Sequence, residues 1–389
     1  MTSRPMQVML VDPSLFTGPY DAALHEGLVA AGVMPTWMTR PTRIGDSQEL
    51  PPASTDPFFY RRTDEARWPP ARIKPVVKGL AHLAGLAKLL WKAHRAQPDV
   101  VHFQWTVVPL FDSLAMAWIA RRTPLVLTVH DTVPFNGERM SWLQNAGFDL
   151  PMRMADRLIV HTETSRSALV GRGVPAHKIV VVPHGPLRLR VPLPPRSDAG
   201  DGRYTGLLFG EIKPYKGLDV LVEALGMLPA DVRAKVRVIV AGRPRMDLDP
   251  VRARIVELGL GDAIELRPER QTEQQMAQLF VDADCFLFPY RQIDASGVWY
   301  LTKSFGKWAM ASAVGVFAAE LQPGHHGALL PPGDAAALAR AIEAAVRERP
   351  QPVSRTVSDE WAVIGATTRG VYESLLPARA AQPEVLVQP

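Results

Sequence analysis

Three stretches of this 389-residue chain carry residue types and spacings that could do chemistry. The first is Tyr204 to Glu223, YTGLLFGEIKPYKGLDVLVE. Its apolar run, Gly206 to Phe209, has the composition of a buried parallel strand. The run breaks at Gly210, passes Lys213 and Lys216, and resumes with Leu218, Leu221, Val222 and Leu225 at helical spacing. A strand end, a glycine, two lysines and a helix start are suited to holding a phosphate. Backbone N–H groups and the helix dipole favour an anion there, and ammonium groups neutralise it. The second stretch runs from the apolar DCFLFPY, Asp284 to Tyr290, to Asp294, Ser296 and Gly297 ahead of a helical run from Val298 to Phe305. The third is His130-Asp131, at the end of the apolar strand PLVLTVH, a pair able to bind hydroxyls or to polarise a reacting centre. Each has a plainer alternative: solvated loop lysines, a helix cap, a structural histidine.

Alternation of apolar runs with helical periods places these stretches. Met6 to Ser14, Asp99 to Trp105, Pro124 to His130, Arg157 to His161 and Ile179 to Pro183 read as strands, with helices over Tyr20–Ala31, Leu110–Ala120 and Glu163–Val170. Repeated βα units imply a parallel sheet with helices on both faces. Val236 to Gly242, Ala263 to Leu266 and Trp308 to Ala311 continue the alternation in the second half. Ligands of such sheets sit beyond the carboxyl ends of strands. That rule selects Phe16–Tyr20, Gln104–Thr106, His130-Asp131 and His161-Thr162, then Glu211–Lys216, Gly242–Arg245, Arg267–Arg270 and Tyr290–Gly297. The segment Pro186 to Gly202, rich in proline and arginine and without periodicity, reads as a linker.

At these residues the C-terminal half resembles the nucleotide-sugar-binding domain of GT-B glycosyltransferases, in particular family 4 of the retaining enzymes. Gly210 and Lys216-Gly217 match the family's glycine and lysine-glycine pattern. Pro289, Tyr290, Asp294, Ser296, Gly297, Gly306 and Lys307 match its next segment, and GALLPPGDAAALARAI, residues 327–342, matches its closing loop and helix. The likeness is looser in the N-terminal half. It implies two Rossmann-like, doubly wound parallel-sheet α/β domains facing a cleft. The expected organisation is an acceptor-side domain at 1–190, a linker at 191–204, a nucleotide-sugar domain at 205–355, a helix at 356–376 returning to the first domain, and a tail at 377–389. The implied donor is a UDP- or GDP-linked sugar, a co-substrate rather than a cofactor, with Gly210, Lys213, Lys216, Arg243, Arg267, Tyr290, Ser296, Gly297 and Glu320 as its binding residues. Catalytic roles fall to His130, Asp131 and Asp294, and acceptor contacts to Tyr20, Trp105 and His161. The chain departs from the family in two respects. Glu211 stands where arginine is usual and would repel a diphosphate unless paired. Of two glutamates seven residues apart, the first region offers only Asp294 and the second falls near Leu301, so Glu320 is the nearest substitute for the ribose contact.

Composition agrees with a large soluble enzyme. The length exceeds the roughly 250–300 residues at which a single core stops growing. No apolar run is long enough to span a membrane. One cysteine, Cys285, excludes an intrachain disulfide and fits a reducing cytoplasm. No histidine spacing indicates a metal site. The net charge of +5 is not arranged as a nucleic-acid platform. The densest basic tract, Arg61 to Arg95, is helical in period from Lys74, with Val77, Leu80, Leu83, Leu86, Leu89 and Leu90 on one side and lysines opposite. Such a helix either covers the first sheet or lies against an anionic membrane surface. The expected function is transfer of a sugar from a nucleotide-diphosphate sugar to a carbohydrate or lipid-linked acceptor. A sugar epimerase and a non-catalytic nucleotide-sugar scaffold are the alternatives.

Overall fold

The computed structural model describes residues 4–43, 47–61, 73–132, 147–197, 202–352 and 360–376. These form two compact units, one running to His184 and taking in 360–376, the other beginning at Gly185. Arg62, Arg67 and Arg72 of the basic tract, and the tail, lie outside the described residues.

The first unit is built from β1 (Met6–Asp12), α1 (Gly18–Ala30), β2 (Val33–Thr39), β3 (Thr55–Pro57), α2 (Lys74–Ala96), β4 (Val100–Phe103), α3 (Pro109–Ile119), β5 (Leu125–Thr128), α4 (Leu150–Met154), β6 (Arg157–Val160), α5 (Glu163–Gly171) and β7 (Ile179–Val181). Its seven strands lie in the order β3-β2-β1-β4-β5-β6-β7, all parallel. Both faces of a parallel sheet are covered by helices, which is why its strands read as continuous apolar runs. One face packs Leu86, Leu89, Met116, Ile119 and Leu169 against Val101, Phe103 and Leu125. β2 escapes sequence reading, because Pro35 interrupts its short VMPTWMT pattern. Pro35 nevertheless pairs in register with Val8.

The second unit contains β8 (Tyr204–Phe209), α6 (Leu218–Gly226), α7 (Ala230–Arg233), β9 (Val236–Ala241), α8 (Asp249–Glu257), β10 (Ile264–Arg267), α9 (Glu273–Asp282), β11 (Cys285–Phe288), α10 (Gly297–Thr302), β12 (Trp308–Ser312), α11 (Gly315–Glu320), β13 (Gly327–Leu330) and α12 (Ala335–Glu348). Its six parallel strands follow β10-β9-β8-β11-β12-β13. The segment expected as a linker is partly laid onto this unit. Leu187 N–H donates to Tyr300 O at 2.9 Å, Ser197 is held by Asp282, and Arg196 pairs with Asp284 at 2.7 Å.

A last helix, α13 (Glu360–Glu373), docks on the first unit beside α1. The two backbones nearly touch: a Cβ on Gly365 would stand 2.0 Å from Gly27 O, and one on Gly27 would stand 2.2 Å from Trp361 O. Ile364, Val371 and Tyr372 complete the other face of the sheet with Leu24, Leu28, Trp37 and Val100. In both sheets the strand order reverses beside the first strand, between β1 and β4 and between β8 and β11. Loops leaving the carboxyl ends of those pairs flank a crevice suited to ligands.

Candidate functional site

In the second unit the loop after β8 carries the phosphate-type pattern. Gly210 leaves the strand at φ +96°, a conformation open to glycine, and a Cβ there would lie 2.8 Å from Lys216 Nζ. Lys216 folds back under the loop. Its Nζ donates to Phe209 O at 3.0 Å and stands 5.4 Å from the centre of the Tyr290 ring. Burial, then the neighbouring Lys213 charge, lowers its pKa to about 7, with Glu211 opposing. An ammonium kept from water without a carboxylate on it favours a bound anion.

Glu211 turns away from that ammonium. Arg245 donates to Glu211 Oε1 from Nε at 2.8 Å and Nη2 at 2.6 Å, and Lys213 Nζ lies 3.4 Å from Oε2. Burial pushes the Glu211 carboxyl up, but the Arg245 hydrogen bond and the two cations bring it below its usual range. The loops after β8 and β9 are zipped together, with Ile212 N–H donating to Arg243 O and Arg245 N–H to Ile212 O. Arg245 is the partner that sequence reading missed. Its signal was the alternation Arg243-Pro244-Arg245 opposite Glu211-Ile212-Lys213. Arg243 is exposed and makes no side-chain ion pair among the described residues. Arg267 is committed to Glu265 at 2.6 Å.

The loop after β11 joins the same end of the sheet. Tyr290 is buried and packs on Tyr215 and Phe317, and Arg291 N–H donates to Tyr215 O at 2.7 Å. Asp294 is half-buried, and its carbonyl accepts from Val316 N–H. Ser296 Oγ accepts from Trp299 N–H at 3.3 Å as the N-cap of α10, which Gly297 opens. Glu320 sits at the end of α11 rather than on a loose loop. Its Oε2 accepts from Trp299 Nε1 at 2.9 Å and from Lys303 Nζ at 3.1 Å.

The first unit gathers aromatic and imidazole rings at the ends of β4, β5 and β6. His130 stacks on Trp105 with centroids 5.0 Å apart and planes 14° from parallel. Tyr20 meets His130 edge-on at 5.0 Å and also touches His161, His184 and Trp361. The hydrogen bonds settle the tautomers. The Val182 carbonyl can only accept, so His161 donates from Nδ1 at 3.0 Å and its Nε2 must accept. His130 Nδ1 donates to that Nε2 at 3.2 Å, which leaves His130 Nε2 an acceptor with no partner among the described residues. Desolvation and then the facing imidazoles hold the His130 pKa well below its ordinary value, and desolvation brings His161 to about 4. Both rings are neutral at pH 7. A pocket borders His130 and half-buried Asp131 together with Gln104, Trp105 and Thr106. Tyr20 and His161, expected at the acceptor, stand behind His130 and outside this wall.

Two buried carboxyl systems hold the loops. Asp12 accepts from the N–H groups of Ser14, Leu15 and Phe16, while burial and then the facing Asp12 raise the Asp21 pKa well above normal. Thr17 links Asp21 to Trp105 Nε1, at 3.4 and 3.0 Å. Asp112 accepts from the Val107 and Val108 amides and from His82 Nε2 at 2.7 Å. Among the described residues no group of three or more His, Cys, Asp or Glu side chains could hold a metal ion.

Both halves match known families. Residues 17–185 match the glycosyl transferase 4-like domain, and residues 194–356 match glycosyl transferases group 1. The chain is a GT-B glycosyltransferase of family 4. Solved structures share the fold of this glycosyltransferase. Anabaena HepE, in complex with UDP and glucose, superposes with a TM-score of 0.64 at 16% identity, covering 95% of each chain. Sucrose-phosphate synthase from Thermosynechococcus elongatus gives 0.63 at 19%, again over 95% of each chain. The lipopolysaccharide outer core galactosyltransferase WaaB gives 0.62 at 13%, covering 95% of this chain and all of WaaB. A sequence comparison with curated proteins gives no significant match.

Proposed function

We propose that this glycosyltransferase holds a nucleoside-diphosphate sugar on its second unit and receives a carbohydrate or lipid-linked acceptor on its first. The buried Lys216 ammonium carries the reading. A diphosphate would supply the countercharge that the loop itself withholds, and HepE, of the same fold, is known in complex with UDP and UDP-glucose. Lys213 and Arg243 add charge at the rim, and Gly210 leaves room for the phosphates. Tyr290 supports Lys216 from below. Asp294, Ser296 and Gly297 border the transferred sugar, and Glu320, steadied by Trp299 and Lys303, is the carboxylate we assign to the ribose. Arg267, held by Glu265, frames the site. Stabilising the departing diphosphate is the main catalytic contribution. His130 Nε2, a bare neutral acceptor, takes a hydrogen bond from a sugar hydroxyl, with Asp131 beside it. Tyr20, Trp105 and His161 fix the ring.

We further propose a peripheral contact with an anionic membrane on the cytoplasmic side. α2 buries His82, Leu86, Leu89 and Ala93 but leaves Ile73, Val76, Leu80 and Leu83 exposed beside Lys74 and Lys88. Leu80 and Leu83 thus lie on the water side, not with the core residues grouped with them by periodicity. Lys92 is tied to Asp56 and adds less charge. No helix among the described residues is long and apolar enough to cross a membrane.

The donor assignment is tested by Lys216→Ala. It should weaken UDP binding by about 1.5–3 kcal/mol, the worth of a charge-assisted hydrogen bond, with the fold intact. Unchanged affinity in calorimetry would remove Lys216 from the site. Release of UDP from a UDP-sugar only when acceptor is present would set transfer apart from a binding scaffold.

A further inference from the structure

We propose that the pocket at the carboxyl ends of β4 and β5 binds the apolar body of a neutral, hydroxyl-bearing acceptor. The inference rests on the acceptor-side reading of the first unit and names the acceptor's chemical class. Most of the wall is hydrocarbon, from Leu127, Val129, Phe148, Pro151 and Met152. Gln104 and His130 stand in the same wall. The Gln104 amide nitrogen lies 3.3 and 3.4 Å from the two ring nitrogens of His102, and its Oε1 has no partner among the described residues. His130 Nε2 likewise has none, and the Val182–His161–His130 chain of donors makes it an acceptor.

Two buried acceptors in one wall call for donors from the ligand. Among the described residues no lysine or arginine lines the pocket, whereas Asp131 does, so this lining favours a neutral ligand over a phosphate. A sugar hydroxylated on every side would strand hydroxyls against Leu127, Val129 and Met152. A compound with hydroxyls at one end and hydrocarbon at the other satisfies both parts of the wall, as at the junction of a sugar and an apolar aglycone.

Calorimetric titration of the full chain with methyl, butyl and hexyl glucoside, below their micelle concentrations, tests this. Affinity should rise about fourfold per methylene buried until the pocket is full. Equal affinity across the series, or no binding of hexyl glucoside, overturns the proposal. Met152→Phe, which fills the pocket, should flatten the series with UDP affinity unchanged. A series that persists in this variant places the apolar site elsewhere and also overturns it. Gln104→Leu should weaken hexyl glucoside about five- to tenfold, a second check should Met152→Phe not fold. A flat series with normal UDP release leaves sugar transfer standing, whereas an intact series with no UDP binding defeats the donor assignment alone.

Discussion

Lys216 and His130 show how burial changes the chemistry of an ordinary side chain. Lys216 has a folded pKa of about 7 against 10.5 in water. Below pH 7 it is charged in both folded and unfolded chains. Between pH 7 and 10.5 only the unfolded chain keeps the proton, so the cost of burying this ammonium falls as pH rises through that window. A diphosphate reverses the preference by favouring the charged form. UDP binding at pH 8 should therefore take up a proton, and affinity should fall above pH 7 by up to tenfold per unit. Calorimetry in two buffers of different ionisation enthalpy reads the proton directly, and identical apparent enthalpies would exclude it. His130 differs in needing no charge. His130→Ala should lower turnover far more than it weakens UDP binding, and equal losses would make it a structural residue of the sheet. The sequence pointed to both residues from their place after strands. The Arg245–Glu211 pair was harder to read, because it joins two loops 34 positions apart and its only trace is the alternation of residues in each loop.

Helix α13 completes the first unit's core. Its approach to α1 depends on two glycines, and Tyr372 reaches through to His102 Nδ1 at 2.7 Å. His102 in turn meets Thr128 Oγ1 at 2.8 Å and the Gln104 amide, so the helix braces the pocket wall from behind. Gly365→Ala should force the helices apart and destabilise the protein by roughly 1–3 kcal/mol, the usual cost of overpacking. Urea denaturation measures it, and an unchanged midpoint would mean that α13 docks elsewhere in solution. The periodic helices and apolar strands could be read from sequence because each carries its own pattern. β2 and β3 could not, since a proline and a three-residue length leave too little pattern to count.

For the molecule as a whole, the membrane contact proposed for α2 can be tested directly. With Lys74 and Lys88 each contributing about 1 kcal/mol near an anionic surface, the protein should sediment with anionic vesicles at low salt. It should be released at 1 M salt, where the Debye length is about 3 Å. Replacing Lys74, Lys78, Lys88 and Lys92 with glutamine should abolish sedimentation and spare UDP binding. A wild type that ignores such vesicles at low salt would leave α2 as a cover on the sheet and favour a soluble acceptor. Hydrophobic period and glycine placement are local properties, so the α/β class, the two parallel sheets and the candidate ligand loops could be read from the chain alone. Which groups in those loops are already paired emerged from the folded chain. Ser296 caps a helix, Arg267 answers Glu265, and Glu320 is held by Trp299 and Lys303, whereas His130 Nε2 and Gln104 Oε1 stand in one wall without a donor. Pairing depends on distances between segments far apart in the chain, and no local pattern encodes those.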